Sequence, residues 1–166
     1  MTVSSIPPSG SSHSDTAKTG LMQGKKGLVM GVANDRSIGW GIAAAAAGQG
    51  AELAFTYQGD ALKKRVNPLA ESVGSDIVLP CDVTDEGSVD LVFNTLKEKW
   101  GKLDFLVHAI AYSDKEELKG GYVDTTRKNF QKTMEISVYS FTALARRAAE
   151  MMLSLIHISE PTRPTD

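Results

Sequence analysis

The residues best suited to chemistry stand in one short run, Gly31-Val32-Ala33-Asn34-Asp35-Arg36-Ser37-Ile38-Gly39-Trp40-Gly41, between an apolar stretch and an alanine-rich one. That order reads as a strand, a turn and the start of a helix. Such a junction binds phosphate well, because free backbone N–H groups and the positive end of the helix dipole point at the same spot. Gly31 can take a tight turn without a Cβ clash, Gly39 can let the backbone approach a pyrophosphate, and the Ser37 hydroxyl can donate to a phosphate oxygen. The spacing is not the common G-x-G-x-x-G, and a glycine-rich turn alone is a weak signal.

The next apolar runs add to it, since an open α/β sheet holds its ligand at the carboxyl ends of its strands. The second run ends in Tyr57-Gln58-Gly59-Asp60. Many dinucleotide sites place an acidic residue there for a ribose, or a basic one for its phosphate. Gln58 can hydrogen-bond ribose hydroxyls without attracting a further phosphate, which points to NADH over NADPH. Lys63, Lys64 and Arg65 follow closely; they would suit such a phosphate or form a solvated helix face. The third run ends in Cys81-Asp82-Val83, where the Asp82 carboxylate could accept from an adenine amino group and Val83 could pack on the base. Asp82 could instead cap a helix, a role Asp85 suits equally. The fourth ends in His108-Ala109-Ile110-Ala111, small enough for a ribose and nicotinamide to pass close to the backbone. His108 reads as a satisfied, partly buried side chain rather than a catalyst.

Four βα units must position these groups. The first is a strand over Gly27–Gly31 and a helix from about Gly39 to Gln49, stopped by Gly50. The second is a strand over Glu52–Tyr57 and a helix from Ala61 to Val73 that has Pro68 inside it. The third is a strand over Ser75–Leu79 and a helix from Gly87 to Trp100, where Val89, Val92, Phe93 and Leu96 recur at helical spacing. The fourth is a strand over Leu103–Ile110, a long polar loop, and a helix from about Asn129 to Met152.

The chain of 166 residues, 42% of them apolar, suffices for one domain with a core. A net charge of −2 without blocks of like charge argues against a nucleic-acid partner. One cysteine, Cys81, excludes an intrachain disulfide and a cysteine-based zinc site, which suits a reducing cytoplasm. Residues 1–22 carry no apolar run, so they read as a disordered tail and not as a secretion signal or membrane span. Residues 153–166 break the helical pattern. The run Leu153–Arg163 is what a transposon-derived sequencing-library adapter encodes, so native sequence is expected to end near Met152.

Taken in order, the segments GVANDRSIGWGIA, GAELAFTYQ, SDIVLPCDV, LDFLVHAIAY and ISVYSF resemble the enoyl-acyl carrier protein reductases of bacterial type II fatty acid synthesis, divergent short-chain dehydrogenase/reductases. The resemblance runs from about Met22 to Met152, and the interval from Gly31 to Ser37 distinguishes this family from ordinary short-chain dehydrogenases. It implies an α/β fold: a partial Rossmann fold over residues 23–152, with a parallel sheet in the order 3-2-1-4 and helices on both faces, truncated after the fourth βα unit. It also implies that Gly31, Ser37, Ile38, Gln58, Asp82, Val83 and Ile110 contact NADH and that Tyr112 and Ser113 border the acyl substrate, an enoyl thioester on acyl carrier protein. The full-length protein would be a cytoplasmic homotetramer.

The family stabilises the substrate oxyanion with a tyrosine, seconded by a lysine in the pattern Tyr-x6-Lys after the fifth strand. Tyr112/Lys119 and Tyr57/Lys64 share that spacing but follow the wrong strands, so no catalytic residue is assigned and the chain alone is expected to be inactive. A half-domain with an unpaired fourth strand is expected to be poorly soluble or partly molten. Another short-chain dehydrogenase, or a non-catalytic nucleotide-binding module, would fit the same turn.

Overall fold

In a computed structural model of the protein, residues 20–152 are described. The readings of residues 1–19 and 153–166 lie outside them. Residues 20–24 are folded: the Met22 N–H donates to the Gln49 carbonyl at 3.0 Å, which fastens the turn to the end of the first helix.

Four strands, β1 (Lys26–Met30), β2 (Glu52–Tyr57), β3 (Ile77–Pro80) and β4 (Phe105–His108), make a parallel sheet in the order β3-β2-β1-β4. Leu28 of β1 sits opposite Ala54 of β2 and Leu106 of β4. β1 and β2 are near-continuous apolar runs because both faces of a parallel sheet are covered. Alternate side chains leave on opposite faces. Leu28, Met30 and Ala54 join one core with Val92 and Leu96 of α3 (Glu86–Trp100) and Leu144 and Ala148. Val29, Leu53 and Phe55 join the other with Ala43 of α1 (Ile38–Gly48) and Val66 and Ala70 of α2 (Asp60–Ser72). Helices therefore cover both faces, as the order of elements in the sequence requires.

Local signals fix the helix ends. Asp85 caps α3, its carboxylate accepting from the Gly87 N–H at 3.0 Å, and Gly101 closes the same helix at φ 69°. Pro68 is tolerated inside α2 because it lies on the exposed side, where water reaches the carbonyl that its missing N–H leaves free. Pro80 ends β3, an edge strand, and Cys81 N–H takes up the pairing by donating to the Tyr57 carbonyl at 2.8 Å.

Most boundaries fall within one residue of the sequence reading, and three differ by more. β3 starts at Ile77, because the Ser75 hydroxyl turns back to the Leu53 carbonyl. β4 is shorter than expected, and its foot is held from the side: Asp104 accepts from the Lys26 N–H at 2.8 Å and pairs with Lys102 at 3.2 Å and Lys25 at 3.5 Å. The single long helix foreseen after the polar loop is two, α4 (Arg127–Met134) and α5 (Ser140–Met152), joined by a π turn over Glu135–Tyr139.

Candidate functional site

The carboxyl ends of all four strands open into one cavity of about 380 Å³. Gly31 forms its floor at φ +93°, a conformation that disfavours any side chain. A Cβ there would also collide with the Ala109 carbonyl, so the turn after β1 lies directly on the tip of β4. Gly39 is buried, and its missing side chain lets the first turn of α1 settle close against Ala109 and Val32.

Ser37 is the N-cap residue of α1 but makes no side-chain cap. Its hydroxyl donates to the Asn34 carbonyl at 2.7 Å and accepts from Ala33 N–H at 3.4 Å. The proton expected for a phosphate is thus engaged inside its own loop. The first turn of α1 contains no acidic side chain, leaving its N–H groups and dipole available to an anion. Ile38 is 80% exposed on that turn, and neither it nor Ser37 lines the cavity.

Gln58, Asp82, Val83, Ile110 and Tyr112 do line it. Gln58 donates to the Asp82 carboxylate at 2.8 Å, joining the tips of β2 and β3. The other Asp82 oxygen accepts from the Thr84 N–H at 2.9 Å and the Thr84 hydroxyl at 2.7 Å. These Thr84 bonds, with smaller help from Gln58 and the charge of Lys132, hold the Asp82 carboxyl below its ordinary range. Asp82 is therefore an ionised acceptor, and the capping role belongs to Asp85. Cys81 forms part of the wall; burial pushes its thiol up to about 11, so it is inert near neutrality.

The remaining predicted residues separate. Ser113 is off the lining, its hydroxyl accepting from the Asn129 amide at 3.1 Å. His108 is satisfied, with Nε2 2.7 Å from the Ser140 hydroxyl and its ring edge-on to Phe141. Ser140 spends its one proton on the Ile136 carbonyl at 2.6 Å, so the His108 Nε2–H must be the donor. Burial lowers the His108 pKa, favouring this neutral form. Neither Tyr-x6-Lys decoy forms a pair: Lys119 is bound to Glu116 at 2.8 Å, and the cation over the Tyr57 ring is Lys63, 5.8 Å from its centre.

Several lining residues escaped the sequence reading. Thr56 and Leu62 flank the tip of β2, and Lys132 and Ile136 come from α4 and the π turn. Their spacing of four would place Lys132 and Ile136 on one helical face, but which face meets the cavity depends on the path of the loop before α4.

Comparison with known proteins bears on this arrangement. A model of the family described as enoyl-(acyl carrier protein) reductase matches residues 31–158. The chain belongs to that family. Among curated enoyl reductases it is 68% identical over 133 residues to "Enoyl-[acyl-carrier-protein] reductase [NADH] 2" of Rhizobium meliloti (strain 1021), covering 80% of this chain and 50% of the relative. Among solved enoyl reductases, the one from Anaplasma phagocytophilum, in complex with NAD, aligns at a TM-score of 0.76 with 58% identity, covering 79% of this chain and 50% of that one. The Bacillus cereus enoyl reductase, with NADP+ and an indole naphthyridinone, aligns at 0.77 with 43% identity, covering 81% and 53%. The chain thus spans about half the length of the enoyl reductases it matches.

Proposed function

We propose that the chain is the nucleotide-binding half of an NADH-dependent enoyl-acyl carrier protein reductase of type II fatty acid synthesis. The observation that carries this reading is the meeting of the Gly31 turn, the Gln58–Asp82 pair and Ile110 around one cavity at the strand ends. The residues fit a dinucleotide. A diphosphate would lie along the N–H groups of α1 near Ser37 and Ile38, and an adenine amino group would donate to Asp82 beside Val83. Ile110 and the bare backbone of Ala109 and Ala111 would face the nicotinamide half. Gln58, already a donor to Asp82, presents no positive charge to a further phosphate, which supports NADH as the preferred form.

When bound, the reduced nicotinamide supplies a hydride for the β-carbon of a trans-2-enoyl thioester. This chain's own contribution is to bind and orient the ligand, with Tyr112 and Ser113 at the border of the acyl site. The complete protein would take its substrate on acyl carrier protein and work in the cytoplasm as a homotetramer. Among the described residues no helix is long and apolar enough to cross a membrane.

Binding tests the first half of the proposal. Calorimetric titration of this chain with NADH should saturate, and ligand at a hundred times its Kd should add about 2.7 kcal/mol to the unfolding free energy. Unchanged melting at saturating NADH would reject the cavity as a nucleotide site. The second half is tested on the complete protein: with NADH and a crotonyl thioester it should oxidise the nucleotide, and no turnover would reject the reductase assignment.

A further inference from the structure

Two lining residues of the cavity carry a formal charge near neutrality, Asp82 on the β3 side and Lys132 on α4. Asp82 already has a place in the proposed site; Lys132 has none. It stands one turn before Ile136, so the two project from one side of the helix into the same space. Its ammonium rests 4.6 Å above the Tyr112 ring, with Nζ 3.4 Å from the Tyr112 hydroxyl. Both residues are exposed, and 3.4 Å is long for a hydrogen bond, so this contact is easily exchanged. Lys132 and Asp82 line the same cavity, and the lysine charge is a small part of what lowers the Asp82 pKa.

We propose that Lys132 is a specificity-determining residue for the adenosine half of the nucleotide, its ammonium passing from the Tyr112 ring to the face of the purine. This rests on the dinucleotide reading above, which lays the adenosine toward Asp82 and Val83. A cation over an aromatic face gains strength as water is excluded, and a purine seated in the cavity is drier than an exposed tyrosine. Tyr112 is then a resting place that competes with the ligand. Lysine and ligand would exchange without any movement of α4, because the side chain is long enough to reach either ring.

Calorimetry on the 166-residue chain, with NADH, ADP-ribose and nicotinamide mononucleotide as probes, tests this. Lys132→Met should weaken NADH and ADP-ribose alike by about three- to fivefold and leave the mononucleotide unchanged, while Lys132→Arg should stay within about twofold of the parent. Tyr112→Leu removes the competing ring and should tighten ADP-ribose by about twofold, a change of opposite sign that lost folding would not produce. Parent-like affinity in Lys132→Met, or weakening by both substitutions, would overturn the assignment to Lys132 and leave the nucleotide site standing. Failure of the parent chain to bind either NADH or ADP-ribose would overturn both.

Discussion

Gly31 is the single residue on which the cavity most depends. Its φ of +93° and its contact with the Ala109 carbonyl leave no room for a methyl group, so Gly31→Ala must either shift β4 or distort the turn. The expected cost is about 1–3 kcal/mol in urea denaturation, with loss of NADH binding in calorimetry. Asp104 carries a different load at the other end of the same strands. Burial alone would raise its pKa, but the Lys26 N–H and the charges of Lys102 and Lys25 outweigh burial and hold the carboxyl below its ordinary value. A depressed folded pKa stabilises the protein above the unfolded value of about 3.9 and is lost as pH falls through the lower folded value. The urea midpoint should therefore drop below about pH 4 in the parent. In Asp104→Asn the unfolding free energy should be lower at pH 7 by about 1–3 kcal/mol, and the urea midpoint should lack that acid-side component. The sequence made Gly31 legible because few residues can end a strand in such a turn. Nothing in it marked Ser37 as engaged with Asn34, since a serine hydroxyl before a helix can turn outward or inward equally well.

At the scale of elements, apolar runs and stop signals located the strands and helices closely, while the junctions followed tertiary contacts. β4 lost its expected ends because Leu103 and Ile110 are apolar for the sake of the core, not of the ladder. The π turn had no signal in the periodicity of residues 129–152. Its place shows in the partners: Ser137 accepts from the Tyr112 N–H at 3.0 Å, and Ser140 accepts from His108. Ser137 of the widened turn and Ser140, the first residue of α5, thus hold the end of β4 and the segment that leaves it, and π turns recur at such functional junctions. Ser140→Ala would strand the His108 Nε2–H in a partly buried position. It should cost about 1–2 kcal/mol by urea denaturation and raise hydrogen exchange in the segment around Tyr112. Lys132 and Ile136 escaped the sequence reading for the related reason that a loop of uncertain path precedes their helix.

For the molecule as a whole, the sheet is unequally protected. β1 is buried between two neighbours, whereas all four residues of β4 are only partly buried, and among the described residues no strand lies on its outer side. Val138, Tyr139 and Phe141 nearby are each at least half exposed. Each ~100 Å² of apolar surface left in water forgoes about 2.5 kcal/mol, enough to favour association. Sedimentation of the chain should show concentration-dependent assembly, and a sharp, cooperative melt of a concentration-independent monomer would contradict it. Because Gly31 has no side chain, the cavity and the tip of β4 share a partition of bare main chain. A strand annealing to the free flank of β4 would press on that partition from behind. Under the proposed nucleotide reading, strand addition at β4 and ligand binding would be linked through that contact, each changing the other's affinity by the same factor.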